Sequence, residues 1–217
     1  MTLVLLVRHG LTEATGRSLI GWSPGFGLSR AGLEQAERAA DRLAALPIRA
    51  IYSSPLERCV ETADALARRL GLRVRRRAAL GEVRYGDWTG RSIAQLSRTA
   101  LWRQVQAVPS SARFPGGESF LEVEQRAVGE LRRIAAAHRG SLVAVYSHAD
   151  VIKLVVAHLA GMHQDQFQRL VIDPASVSAV AIGDGQPRIL KVNDTGDVGT
   201  LAPSPRRPKR RTSKVRG

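Results

Sequence analysis

Short unbroken apolar runs alternate along the chain with longer stretches of helical spacing. Leu3-Val4-Leu5-Leu6-Val7 is followed at once by Arg8, His9 and Gly10. A run of that length closed by glycine predicts a buried strand. Leu11 to Leu28, with its glycines, Trp22 and Pro24, predicts an irregular loop. Ser29 is a candidate cap for a helix reaching about Leu46, with Leu33, Ala36, Ala40 and Leu43 on one face. A short strand is predicted over Ala50-Ile51-Tyr52-Ser53. The next helix should start with Ser54 as cap, Pro55 in the first position and Glu57 closing a capping box, and stop at Gly71 after Leu70.

The second half repeats this alternation. Leu72 to Arg76 predicts a third strand, followed by a loop through Gly90 and a helix from Ser92 to Val108. Pro115-Gly116-Gly117 breaks the chain before a long helix from about Ser119 to His138. Leu142 to Tyr146 is the clearest later strand. Ala149 to Leu159 predicts a helix closed by Gly161. Val177 to Ile182 and Arg188 to Val192 flank Gly183-Asp184-Gly185 as a hairpin. Such alternation specifies a three-layer α/β/α sandwich with a mostly parallel central sheet.

Composition sharpens this picture. With 217 residues, 44% of them hydrophobic, the chain can bury the core of one sizeable domain. No apolar run has the length of a transmembrane helix, and the N-terminus lacks the features of a signal peptide. The single cysteine, Cys59, cannot form an intrachain disulfide, so a reducing cytoplasm is the expected location. The net charge of +14 is concentrated at one end: Arg206, Arg207, Lys209, Arg210, Arg211, Lys214 and Arg216 supply half of it with no acid among them. The expected organisation is therefore a domain over residues 1–200 and a disordered basic tail over 201–217. The tail is open to two readings, a solubilising extension or a weak contact with nucleic acid or an anionic surface.

The candidate chemistry lies beyond strand ends and at helix starts, where α/β sheets bind ligands. Arg8 and His9 follow the first strand, Arg58 lies in the first turn of a helix, and His148 stands between a strand and a helix. Helix N-termini offer free N–H groups, and arginine forks match phosphate oxygens. A phosphoryl group is the anion that such a set would hold.

Five segments carry a family resemblance. They are Arg8-His9-Gly10-Leu11-Thr12; Ser53 to Ala63, reading SSPLERCVETA; Leu80-Gly81-Glu82 with Gly86-Asp87-Trp88-Thr89-Gly90; Pro115 to Ser119; and Ser147-His148-Ala149. In this order they resemble the histidine phosphatase superfamily, the phosphoglycerate mutase-like proteins, across roughly residues 3–195. The resemblance implies that His9 is the nucleophile that becomes phosphohistidine. Arg8, Arg58 and His148 would hold the phosphoryl group, and Glu82 would donate the proton. It implies no cofactor and no metal. Two positions depart from the family pattern. Thr15 stands where an asparagine often touches the phosphate, and Ala149 replaces a glycine while keeping its backbone N–H; both are candidate substrate-binding residues.

Family members include hydrolases and mutases. Glu82-Val83-Arg84-Tyr85-Gly86 has valine where the mutases resembling this chain carry an arginine for a substrate carboxylate. The expectation is therefore a phosphomonoester hydrolase acting on a small sugar phosphate or phosphoglycerate-like metabolite. A phosphoglycerate-type phosphomutase and a catalytically silent phosphate-binding scaffold are the alternatives. Arg91, Arg98, Trp102, Arg103 and Arg113, in the insert from Gly90 to Pro115, are read either as a solvated helical face or as a second anion site. Cys59 is expected to be a packed small residue, and His138, His158 and His163 to be structural or exposed.

Overall fold

The structure is a computed structural model, and it describes residues 1–196. The expected basic tail over 201–217 lies outside the described residues. Six strands form one mixed sheet, β1 Thr2–Arg8, β2 Ile48–Ser53, β3 Val74–Arg76, β4 Leu142–Ser147, β5 Val177–Ile182 and β6 Arg188–Asp194. Their order is β3-β2-β4-β1-β5-β6. β1, β2, β3 and β4 run parallel, while β5 is antiparallel to β1 and forms the expected hairpin with β6.

Helices α1 Arg30–Ala44 and α2 Glu57–Leu70 cover one face of the sheet, and α5 Phe120–Ala137 and α6 Ala149–Leu159 the other. Alternate residues of the central strands feed two cores. Val4, Leu6, Val143 and Val145 pack towards α5 and α6, whereas Leu5, Val7, Ala144 and Tyr146 pack towards α1 and α2. This two-sided burial is why β1 and β4 read as unbroken apolar runs.

Several local expectations are corrected. α2 begins at Glu57, its cap position is Leu56, and no side chain caps it. The expected capping box of Ser54 and Glu57 does not form, because the Ser54 hydroxyl accepts from Leu56 N–H and also meets His148. Leu33 is half exposed instead of buried. The buried face of α1 is Gly32, Ala36, Ala39, Ala40 and Leu43, and Leu33, one step from Gly32, is turned about 100° away from it. The helix predicted from Ser92 to Val108 is two helices, α3 Ile93–Leu96 and α4 Ala100–Ala107. Thr99 starts the second by accepting from Trp102 N–H, the competition with helix continuation that threonine offers. A capping box missed in the sequence lies at Ser119 and Glu122, opening α5.

One close approach fixes the first loop to the sheet. A Cβ on Gly10 would meet Gly32 O at 2.5 Å, and one on Gly32 would meet Leu11 O at 2.0 Å. Only glycines allow the start of α1 to lie this near the segment that carries His9.

Candidate active site

The carboxyl ends of β1, β2 and β4 meet on one side of the sheet, where they line a cleft of about 170 Å3. His9 follows β1, and its backbone N–H donates to Ser147 O at 3.1 Å, which ties it to the end of β4. Its ring is buried, and Nδ1 lies 2.7 Å from Gly10 O. A carbonyl can only accept, so Nδ1 carries the proton and Nε2 keeps its lone pair. Burial holds the His9 pKa well below the ordinary imidazole value, and Arg58 and Arg8 add to the effect. The ring is thus neutral at neutral pH.

Arg8 donates through Nη1 to Ile172 O at 2.6 Å, and its buried Nε has no acceptor among the described residues. Arg58 is 2% exposed. Its Nη2 donates to Gly21 O at 3.0 Å and reaches His148 Nδ1 at 3.3 Å. Two guanidiniums this deep are costly unless an anion joins them.

His148 is fully buried at the cap position of α6. Its Nε2 lies 2.8 Å from Ser54 Oγ and 3.4 Å from Cys59 Sγ. Because Arg58 donates towards Nδ1, the proton of this ring belongs on Nε2. Its rings and those of His9 are in edge contact, with centroids 5.2 Å apart. Burial first, then Arg58, lowers the His148 pKa well below the ordinary value. Cys59, packed as expected, also adjoins this imidazole, and burial pushes its thiol up to about 12. The thiolate is therefore suppressed, and Cys59 does not compete as a nucleophile.

Glu82 comes from the loop after the short helical turn Ala78–Leu80. Its Oε2 lies 3.6 Å from His148 Nδ1, and its Oε1 accepts from Val83 N–H at 2.9 Å. Burial, reinforced by Asp150 and opposed by Arg58 and Arg8, pushes the carboxyl up to about 7. The carboxyl therefore holds its proton in weak acid. The loop is clamped from behind by Arg126, whose guanidinium donates to Ala79 O, Gly81 O and Glu82 O. Trp22 Nε1 donates to the same Glu82 carbonyl at 2.6 Å. Gly86, at φ +53°, lies so close to the Pro115–Gly117 turn that a Cβ would meet Pro115 O at 2.0 Å. The glycines of these two motifs thus hold one loop against the other.

The structure brings Arg8, His9, Arg58, Glu82, Thr15 and Ala149 to one cleft, with His148 buried immediately behind it. Thr15 Oγ1 accepts from Thr12 N–H and lies 3.0 Å from Thr12 Oγ1. Asp150 and Tyr85 also line the cleft, and Ser54 and Arg126 support it. Sequence reasoning missed all four. The Ser-Ser-Pro motif offered a signal for Ser54, since its second serine was assigned to a cap it does not make. None of Arg91, Arg98, Trp102, Arg103 or Arg113 lines the cleft; from the insert only Ile93 does. Arg91, Arg98, Arg103 and Arg113 are exposed, as the solvated-face reading has them, whereas Trp102 is half-buried and stacks on the buried Trp88 at the edge of the core.

His138, His158 and His163 have local partners in Tyr52, Glu124 and Asp165. Among the described residues no group of three or more histidines, cysteines or acids is placed to hold a metal ion. A larger hollow of about 690 Å3 lies at the opposite end of β1, around Met1, Arg132 and Pro187, and none of the predicted site residues lines it. No helix among the described residues is long and apolar enough to cross a membrane.

An α/β/α sheet with paired imidazoles and guanidiniums at its strand ends defines a class, the phosphoglycerate mutase-like proteins. The chain belongs to the histidine phosphatase superfamily (branch 1), whose sequence model matches residues 4–195. It is 34% identical over 202 residues to the bifunctional protein Rv2228c of Mycobacterium tuberculosis, a match covering 90% of this chain and 54% of that protein. The chain thus spans about half the length of that relative. It is 30% identical to phosphoserine phosphatase 1 of Hydrogenobacter thermophilus, over 92% of this chain and 95% of the relative. A mycobacterial glucosyl-3-phosphoglycerate phosphatase superposes with a TM-score of 0.79 at 25% identity, covering 88% of this chain and 98% of the other.

Proposed function

We propose that the chain is a metal-independent phosphomonoester hydrolase that works through a phosphohistidine at His9. One observation carries this reading: Gly10 O holds His9 Nδ1–H, which leaves Nε2 as an unprotonated nucleophile in a cleft lined by Arg8 and Arg58. The Nε2 lone pair forms the N–P bond as the bond from phosphorus to the ester oxygen breaks. Arg8 and Arg58 stabilise the equatorial oxygens, the Ala149 N–H at the start of α6 adds a donor, and His148, behind the cleft, acts on the phosphoryl group through Arg58, whose Nη2 meets its Nδ1. Thr15 adds its hydroxyl proton when Thr12 is the donor between the two threonines. Glu82 gives its proton to the leaving oxygen. The resulting carboxylate takes a proton from water, whose oxygen attacks phosphorus and releases phosphate, returning His9 and Glu82 to their starting states.

Hydrolysis is favoured over phosphoryl transfer between substrate positions by Val83. Its side chain is fully buried in the core, so the position offers nothing to a substrate carboxylate. The neighbouring Arg84 lies 4.0 Å over the Trp22 ring, outside the cleft lining. The relatives named phosphatases agree with a small phosphate-ester metabolite as substrate. A catalytic domain over residues 1–200, a cytoplasmic location and a weak polyanion contact through residues 201–217 complete the proposal.

Phosphate release across sugar phosphates, phosphoglycerates and nucleotides, with His9→Ala as control, tests it. Release by the wild type alone, with an acid-labile phosphoprotein trapped on quenching, is the expected result. Transfer to glycerate faster than release to water reverses the choice to mutase. Phosphate binding without any turnover leaves a scaffold.

A further inference from the structure

The proposed reaction uses both cationic side chains of the cleft. Arg8 and Arg58 are the only lysine or arginine residues lining it among the described residues. The rest of the wall is apolar at Leu19, Ile20 and Ile93, and carries one carboxylate besides Glu82, that of Asp150. Asp150 lies in the first turn of α6, one residue beyond Ala149, with its side chain 24% exposed. Lys153 pairs with it at 3.5 Å, does not line the cleft, and also donates to Gln168 at 3.1 Å. Besides the two arginines and Glu82, the cleft lining thus offers one further carboxylate, a hydrophobic surface and no third cation.

We infer that the cleft beyond its arginines is a subsite for a leaving group without negative charge, best filled by one bearing an ammonium group that pairs with Asp150. A carboxylate or second phosphate there meets Asp150, whose charge is offset only by Lys153 from outside the cleft lining, whereas an ammonium gains an ion pair and a hydrogen bond. The inference rests on the phosphomonoesterase reading and deepens it. Of the two substrate kinds expected from the sequence it favours sugar phosphates over phosphoglycerates, and it adds amino-alcohol phosphates to them.

Three two-carbon esters of matched size test it: O-phosphoethanolamine, 2-hydroxyethyl phosphate and phosphoglycolate. In the wild type kcat/KM should fall in that order, with roughly tenfold between the first and last, carried mainly by KM. Asp150→Asn should bring the first and last within about twofold. Taking the ratio of two substrates cancels any effect of Asp150 on Glu82, which both share. The same order should appear in calorimetric binding to His9→Ala, which needs no turnover. Equal or better use of phosphoglycolate, or a ratio that survives Asp150→Asn, overturns the subsite. If no ester is turned over but the binding order holds, the hydrolase reading fails and the subsite stands.

Discussion

Ser54 Oγ and His148 Nε2 lie 2.8 Å apart, although 94 residues separate them in the chain. The serine sits where β2 gives way to α2, and the histidine where β4 gives way to α6. Their contact locks the second imidazole in the tautomer whose bare Nδ1 faces Arg58. Ser54→Ala should leave the fold intact while freeing that ring. Losing one buried hydrogen bond costs about 1–2 kcal/mol, so kcat/KM should fall roughly tenfold and the melting temperature only slightly. Steady-state kinetics beside a thermal melt check this, and Ser54→Thr should recover much of the rate.

The pH profile follows from His9 and Glu82. His9 needs to be neutral, and its lowered pKa keeps it so well into acid. Glu82 needs its proton for the first step and loses it at about pH 7. In kcat/KM the alkaline limb should bend near pH 7 with a slope of about one, and Glu82→Gln should abolish that limb along with most of the rate. A wild-type rate that stays level to pH 9 with chemistry limiting would contradict the assignment.

Stability carries the same signature with the opposite use of the variant. Below pH 4.5 Glu82 is protonated whether the chain is folded or not, so its contribution is fully present. Between pH 4.5 and about 7 the unfolded chain releases the proton and the folded one keeps it, so stability is lost as pH rises. Above pH 7 the folded protein carries a buried carboxylate. Glu82→Gln should therefore be more stable than the wild type at pH 8, by up to ~3 kcal/mol, and nearly equal to it at pH 4. Urea denaturation at the two pH values measures the difference.

Arg126 does not line the cleft, yet it holds three carbonyls of the Glu82 segment and pairs with Glu118 at 2.9 Å. Removing it strands half-buried acceptors, so Arg126→Ala should cost about 3 kcal/mol in stability. The carboxyl it positions serves the two proton transfers and not substrate binding, so kcat should fall more than KM rises. Arg126→Lys should recover stability better than rate, because a single ammonium cannot reach all three carbonyls.

Cys59 should resist alkylation. With its thiol buried and pushed up to about 12, iodoacetamide at pH 8 should leave the folded protein active and label it only in denaturant. Rapid inactivation of native protein would contradict this.

Much of this site was legible in the sequence because it hangs on strand ends. Arg8 and His9 end a run that could only be a buried strand, and His148 sits between an apolar run and a helical pattern. Glu82 was reached only through the family resemblance, since nothing local marks a loop acid as buried. Ser54 was misread because a serine before proline fits a cap by propensity, and only the fold reveals that His148 claims its hydroxyl. Asp150 and Arg126 were invisible for the same reason: their roles depend on which segments the sheet brings together. Leu33 was misplaced because the buried face of α1 is made of glycine and alanines, which leave little apolar signal.

The strand order carries a consequence for how the protein comes into being. β1 and β2 are successive in the chain but not adjacent in the sheet; β4 lies between them. His9 and Arg58 therefore acquire their final spacing only once residues Leu142–Ser147 have been inserted. A growing polypeptide that carries both residues, and even Glu82, holds no assembled cleft until β4 has been added. Completion waits further for His148 and Ala149 beyond that strand, and for Ile172, whose carbonyl holds Arg8.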